Sequence, residues 1–165
     1  MDLTTVLVIV AALAAIGFGF LQSRSIMAAS PGDERMQEIA HAIQEGADAY
    51  LSRQYKTIGI VGVLIAIALL VAFQGEYIIV IGFVIGAVLS GAAGFIGMKI
   101  SVQANVRTTE ASKNGGLAAG LDMAFKSGAV TGLLVVGLAL FGTVGYYAFL
   151  TAGMGFNSGD RTLID

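Results

Sequence analysis

The single histidine of this 165-residue chain, His41, has two carboxylates near it that could join it in binding a metal ion. Glu38 and Glu45 stand three and four residues from His41, a spacing that puts all three on one side of a helix. An imidazole and two carboxylates are ligand types that metal ions accept. The alternative is a solvated helix face with local pairing, which the sequence favours because further ligands for a closed site are missing. We therefore predict no metal ligand in this chain.

Other catalytic chemistries lack the residues they need. The chain has no Cys, which excludes thiolate nucleophiles, thiolate metal sites and disulfides. Asn114-Gly115-Gly116 is not followed by the Lys-Ser or Lys-Thr pair of a phosphate-binding loop. A basic tract with interleaved aromatic residues is also missing, so we predict no nucleic-acid partner. The sequence predicts no catalytic and no cofactor-binding residue.

Three basic residues, Lys99, Arg107 and Lys126, stand where apolar runs meet polar segments. Long basic side chains at such boundaries commonly extend their charge into the aqueous interface, and this is our interpretation of them. A role facing a phosphate group is the alternative, and it would require further protein around them.

The elements that position these groups are predicted to be membrane-spanning helices. Only 12% of the residues are charged, against about 25% in soluble domains. Four uncharged apolar runs, over about 3–22, 57–74, 77–98 and 127–150, are each long enough to cross a hydrocarbon layer of roughly 30 Å. We predict an all-α polytopic membrane protein, one membrane domain of four spans with long helical extensions in segments 23–56 and 99–126. A cleaved signal peptide is the alternative for the first run, but Asp2 stands where a positive residue is required.

A helix start is predicted at Ser30-Pro31-Gly32-Asp33. Ser can cap a free N–H group, Pro suits the first turn, and the Asp33 carboxylate faces the positive end of the helix dipole. Apolar residues then recur at three- and four-residue steps as far as Leu51, and no Pro separates this amphipathic segment from the second apolar run. One long helix that passes from the polar segment into the membrane is the prediction.

Two further boundaries follow from local residue types. Gln74-Gly75-Glu76 predicts a tight polar turn that pairs the second and third spans as a hairpin. In segment 99–126, Asn105 or Thr108 is predicted to cap a new helix, which Gly115 and Gly116 would weaken locally.

Orientation follows from the distribution of basic residues, which favour the cytoplasmic side. Only Arg161 belongs to the side of the N-terminus, whereas eight basic residues lie in or beside segments 23–56 and 99–126. The eight are Arg24, Arg35, Arg53, Lys56, Lys99, Arg107, Lys113 and Lys126. These segments are predicted to be cytoplasmic, with the N-terminus, the turn at Glu76 and the C-terminal residues on the non-cytoplasmic side.

Small residues predict where helices pack against each other. Gly82, Gly86, Ser90 and Gly94 recur every four residues on the third span, and Gly128 and Gly132 do so on the fourth. Such spacing lets another helix approach closely within the membrane, and a water-lined pore is the alternative. No ionisable residue lies inside the four runs, so we predict that these helices do not carry a transport pathway.

Several motifs, in order, resemble one protein family. The segment 38–55, EIAHAIQEGADAYLSRQY, resembles a segment of membrane-integral, ion-pumping inorganic pyrophosphatases. The segments 82–97 (GFVIGAVLSGAAGFIG), 98–100, 104–109 (ANVRTT) and 124–130 (AFKSGAV) are similar to the third and fourth helices of that family. The resemblance covers roughly 36–150. Lys126 and Thr131 depart from it, since Arg and Met are usual there.

The resemblance implies an N-terminal portion of an enzyme with about sixteen spanning helices. Such proteins are homodimers that hydrolyse magnesium pyrophosphate and move H⁺ or Na⁺ out of the cytoplasm, in some cases with K⁺ as a stimulator. The magnesium ligands and the ion gate would lie beyond this chain, whose helices would belong to the outer ring. The implied location is the plasma membrane of a prokaryote or the membrane of an acidic organelle. A complete small four-helix structural protein and the first repeat of another transporter are the alternatives.

Overall fold

The structure, a computed structural model, describes residues 3–156, and over that range its regular secondary structure is entirely helical. Three helices, α1 (Leu3–Ala28), α2 (Glu34–Ala72) and α3 (Tyr77–Ala148), are followed by a short π-helical turn, Phe149–Gly153. Each of the three helices is long and apolar enough to cross a membrane. The predicted all-α class is confirmed, and the runs 77–98 and 127–150 lie on opposite sides of a non-helical break within the segment assigned to α3.

The N-cap of α2 lies three residues beyond the predicted Ser30 cap. Asp33 is the N-cap residue, and its Oδ1 accepts a hydrogen bond of 3.0 Å from Met36 N. Ser30 Oγ instead accepts a hydrogen bond from Gly32 N at 3.2 Å and closes a local turn. Gly32 has a φ of +82°, a conformation outside the right-handed helix, so the helix cannot begin before it.

The single long α2 helix and its terminal turn agree with the sequence prediction. Helical geometry continues without a break from the amphipathic segment to Ala72. Gln74 and Gly75 then have φ values of +55° and +91°, and Gly75 N donates a 2.8 Å hydrogen bond to Leu70 O. This bond satisfies a carbonyl that the helix end would otherwise leave free.

The helix start expected at Asn105 or Thr108 is wrong. Residues 99–114 contain neither Pro nor Gly, and α3 continues through them. The Thr109 hydroxyl donates back to Asn105 O at 3.0 Å, the usual partner of a Thr inside a helix.

The break in α3 is at Gly116, whose φ of 72° and ψ of −169° are not helical. Contacts across this break pair residues 77–115, the first arm, with residues 117–148, the second arm. Tyr146 Oη donates a 2.7 Å hydrogen bond to Ile78 O, far from the break, while Gly97 lies against Thr131, closer to it. The two arms therefore run antiparallel.

The remaining helices pack on these arms. Ile26 of α1 is fully buried in a cluster with Ala104, Val130 and Leu134 of α3. We call the level of residues 29–33 and 107–116 the polar end, and the level of the turn at 73–76 the turn end. From α1 to the second arm, successive helical stretches alternate in direction between these two ends.

A Gly116→Ala substitution tests the reversal. The φ and ψ values of Gly116 belong to a region that is essentially restricted to glycine. A Cβ at this position should therefore reduce the free energy of unfolding by about 1–3 kcal/mol. Thermal unfolding of the detergent-solubilised protein measures the change. Gly46→Ala is the matched control, because Gly46 is exposed, helical and has no atom near the position of a Cβ, and there Ala should be neutral or stabilising. Equal stability of the two variants would contradict the reversal at Gly116.

Candidate functional site

At the polar end, Arg107 holds the C-terminus of α1 against α3. Its Nε donates to Ala29 O at 3.2 Å and its Nη2 to Met27 O at 3.3 Å, while its Nη1 donates to Gln103 O at 2.8 Å on its own helix. The last carbonyls of a helix have no intrahelical donor, and a cation near them also meets the negative end of the helix dipole. The half-buried guanidinium therefore satisfies two main-chain acceptors, the carbonyl of Met27 in the last turn of α1 and the carbonyl of Ala29 just beyond it.

The connection between α1 and α2 has a second tie to α3. Lys113 Nζ donates to Asp33 Oδ2 at 2.8 Å, while the other carboxylate oxygen of Asp33 caps α2. The hydrogen bond from Lys113 is the main reason that the pKa of Asp33 lies below its usual value, and the same bond raises the pKa of Lys113. One carboxylate thus fixes both the start of α2 and its position beside α3.

Glu110 is a further charged residue at the polar end. Its Oε1 accepts a 2.6 Å hydrogen bond from Asn114 Nδ2, and its Oε2 is buried beside Gly32 with no hydrogen-bond partner among the described residues. A Cβ on Gly32 would lie 3.1 Å from that oxygen and 2.7 Å from Met36 Sδ. Gly is therefore required at position 32 for space as well as for its positive φ.

The contact between α2 and the first arm depends on Tyr55. Its hydroxyl donates to Gly91 O at 2.7 Å, and its ring meets Phe95 edge to face with centroids 5.5 Å apart. A Cβ on Gly94 would lie 3.1 Å from the Tyr55 hydroxyl, so the small residues of the first arm make room for this side chain. Lys99 Nζ lies 3.5 Å from Asp48 Oδ1 and adds an ion pair to the same interface.

The six predicted packing residues have different surroundings. Gly82 faces the ring of Tyr146, and Gly94 faces Tyr55. The other four are exposed on the described part of the chain, and the three glycines among them have no atom within 4 Å of an added Cβ. These four are Gly86, Ser90, Gly128 and Gly132. Their role in helix packing stays a prediction.

Close contacts also occur at small residues other than these six. The buried positions of α1 are spaced by seven residues, and those of the second arm include Gly137. The four on α1 are Thr5, Ala12, Gly19 and Ile26. A seven-residue spacing of small or apolar residues is typical of a helix–helix seam, and it is the signal that would have identified this face.

His41 and Lys126 pair locally. His41 Nδ1 lies 3.6 Å from Glu45 Oε1, while Glu38 pairs with Arg35 at 2.8 Å rather than with the imidazole. Lys126 pairs with Asp122 at 2.6 Å. Within residues 3–156, no three His, Cys, Asp or Glu side chains are close enough to hold a metal ion. The charged groups described at the polar end act on one another and on helix termini, so their chemical role is to position helices.

Arg107→Gln should release the end of α1. The substitution removes bonds from a charged donor to main-chain oxygens, and we expect the free energy of unfolding to fall by about 2 kcal/mol. Hydrogen exchange should increase at residues 26–33. Arg53→Gln is the matched control, because the exposed Arg53 side chain makes no hydrogen bond or ion pair with another described residue. Unchanged hydrogen exchange at residues 26–33 in the Arg107 variant would show that the hydrogen bonds from Arg107 do not hold the end of α1.

Gly137→Ala should separate α1 from the second arm. A Cβ there would lie 2.8 Å from Ile16 Cγ1 and 3.1 Å from Ala12 O, and such overpacking costs about 1–3 kcal/mol. Gly132→Ala is the control on the same helix, because nothing lies within 4 Å of its Cβ position. In the 165-residue chain, thermal unfolding should detect a loss only for the Gly137 variant. A loss of equal size at Gly132 would refute this assignment of the packed face.

Comparison with known proteins identifies the family. Residues 13–164 match the family described as inorganic H⁺ pyrophosphatase. The chain is 46% identical over 153 residues to the K(+)-insensitive pyrophosphate-energized proton pump of Methanosarcina mazei, covering 90% of this chain and 23% of that protein. It is 37% identical over 144 residues to the K(+)-stimulated pyrophosphate-energized sodium pump of Thermotoga maritima, covering 87% of this chain and 20% of that protein.

These relatives are much longer than the chain, which spans between a fifth and a quarter of their lengths. The match extends over most of the described helices, whose apolar lengths suit a membrane. The chain is an integral membrane protein and belongs to the inorganic H⁺ pyrophosphatase family.

Proposed function

We propose that this chain is the N-terminal portion of a membrane pump that hydrolyses pyrophosphate and uses the energy to move H⁺ or Na⁺ out of the cytoplasm. The observation that carries the proposal is the family match over residues 13–164, together with relatives named as pyrophosphate-energized pumps for both ions. The location that follows is the plasma membrane of a prokaryote or an acidic organelle membrane.

Within such a pump, these helices serve as scaffold. Binding of magnesium pyrophosphate requires several carboxylates for the metal ions and cations for the phosphate charge. Among residues 3–156, no three His, Asp or Glu side chains lie close enough to hold a metal ion. The described residues therefore do not fit a Mg²⁺ site, and the ligands belong to later parts of a fold of about sixteen helices. K⁺ as a stimulator and a homodimeric assembly are part of the same proposal.

The chain crosses the membrane four times in this proposal. The reversal at Gly116 supports it, because each arm of α3 contains one uncharged apolar run and the arms are antiparallel. The polar end faces the cytoplasm, since eight of the nine Lys and Arg residues lie in or beside segments 23–56 and 99–126. The N-terminus and the turn at 73–76 are then non-cytoplasmic, and the helices form part of an outer ring.

The activity is tested with the complete polypeptide in inverted membrane vesicles. Addition of magnesium pyrophosphate should release phosphate and acidify the vesicle interior, or load it with Na⁺ if Na⁺ is the transported ion. The 165-residue chain, expressed alone to the same level, should do neither. Hydrolysis by the short chain would overturn the scaffold assignment, and a complete polypeptide that releases no phosphate would overturn the pump assignment.

The four-span topology predicts which positions are accessible from outside intact cells. Single cysteines at Ser52, Glu76 and Lys113 report the two sides without competing native thiols in this chain. Only the cysteine at position 76 should react with a membrane-impermeant maleimide, because it lies at the turn end. Labelling at position 52 or 113 in sealed cells would contradict the orientation, and permeabilised cells provide the positive control for both.

A further inference from the structure

Two exposed basic side chains of α2, Arg53 and Lys56, make no hydrogen bond or ion pair with another described residue. The other basic residues between positions 3 and 156 each bind a carboxylate or main-chain carbonyls, or lie over an aromatic ring. These are Arg24, Arg35, Lys99, Arg107, Lys113 and Lys126. No Asp or Glu occurs between Ala49 and Gly75. This part of α2 therefore has two positive charges that nothing in the described chain neutralises.

Arg53 and Lys56 lie on the face of α2 that is opposite to α3. Leu51 is buried, and Tyr55 donates its hydroxyl to Gly91 O, so Leu51 and Tyr55 mark the side in contact with α3. At 3.6 residues per turn, Arg53 is about 200° and Lys56 about 140° around the axis from Leu51. Both cations therefore point away from the described helices.

The two cations also lie where α2 becomes apolar. Residues 57–74 have no charged side chain and extend about 27 Å at 1.5 Å per residue, close to the roughly 30 Å of a hydrocarbon core. Because α2 is long and apolar enough to cross a membrane, Lys56 stands at one end of the span and Arg53 about one turn beyond it. At this depth a membrane contains the polar headgroups of one leaflet.

The membrane face of α2 next to these cations is suited to lipid rather than to another helix. Four bulky aliphatic residues continue the face within about 40° of the direction opposite Leu51. The four are Ile60, Leu64, Ile67 and Val71, and each is between 55% and 74% exposed. The small residues Gly62 and Ala66 lie instead about 60° or less from Leu51, on the side of α3. Helices in membranes meet through small residues, so the outward face lacks the usual composition of a helix contact.

We propose that Arg53 and Lys56 bind the phosphate group of an anionic phospholipid in the leaflet at the polar end, whose acyl chains lie along the outward aliphatic face of α2. A guanidinium offers paired N–H donors that match phosphate oxygens, and an ammonium adds a compact charge. The headgroup of phosphatidylglycerol keeps a net negative charge, whereas choline neutralises the phosphate of phosphatidylcholine. The site therefore selects lipids by charge. This inference requires only that α2 spans a membrane, so it holds whichever substrate or ion the protein uses.

Quenching of a fluorophore by spin-labelled lipids tests the site. The complete polypeptide, in a background without other cysteines, carries the fluorophore at Ile60→Cys and is reconstituted in phosphatidylcholine vesicles. Phosphatidylglycerol and phosphatidylcholine, each with a nitroxide close to the headgroup, are added in separate titrations, and the ratio of their association constants is measured. The ratio should favour phosphatidylglycerol. It should fall about fivefold in Arg53→Gln or Lys56→Gln and about 25-fold in the double variant, because each basic residue near the surface contributes similarly.

Arg35→Gln is the matched control. It removes the same charge from the same helix, about 27 Å along the axis from Arg53, where Arg35 pairs with Glu38. The lipid preference should be unchanged in this variant. It should also be retained in Lys56→Arg, which keeps the charge, and in the presence of inorganic phosphate at constant ionic strength.

Four results would overturn the inference. They are equal quenching by the two lipids when Arg53 and Lys56 are intact, an unchanged ratio in the double variant, protection of position 60 from both lipids, and loss of the preference when inorganic phosphate is added. Protection from both lipids would mean that protein covers this face of α2. Displacement by inorganic phosphate would assign the two cations to a soluble phosphate compound instead of a lipid.

Discussion

Within hydrocarbon, each main-chain N–H and C=O group must find its partner inside the helix, and the rest of this structure follows from that requirement. The chain can reverse only where water or a polar side chain is available. Its three connections contain Gly32, Gly75 and Gly116, all with positive φ, and each lies between apolar stretches rather than within one. Where a helix end remains close to another helix, Arg107 supplies the donors that the carbonyls of α1 lack.

Once the helices are in lipid, their association depends on shape more than on hydrophobicity. The seven-residue seam of α1 meets the second arm through Gly19 and Gly137, where a Cβ would contact a neighbouring side chain or main-chain oxygen. The contact between α2 and the first arm also depends on shape, because the Tyr55 hydroxyl reaches Gly91 O only where small residues leave space. The small residues that remain exposed are those with no partner in the described chain, which is consistent with a scaffold that further helices complete.

Local chemistry was sufficient to predict the single helix α2, because no Pro interrupts it. It was also sufficient to predict the turn at Gly75, because the positive φ of that turn favours Gly. It was insufficient at Asn105 and Thr108, which are good cap residues but lie inside a helix that nothing forces to end. The predicted packing role of Gly128 could not be assigned a partner from spacing alone, since periodicity identifies a face but not what covers it. Arg107 was interpreted as an interfacial anchor because the carbonyls it binds are distant in sequence.

The reversal of α3 at Gly116 is the central structural claim, since it converts two apolar runs into antiparallel neighbours. Distance measurement by pulsed electron paramagnetic resonance between spin labels at Glu76 and Thr151 tests it most directly. The account predicts a short distance, set by a spacing of about 10 Å between adjacent helices and the length of the labels. A straight helix over the 72 residues of α3 would instead separate its ends by about 108 Å, and a distance of that order would contradict the account.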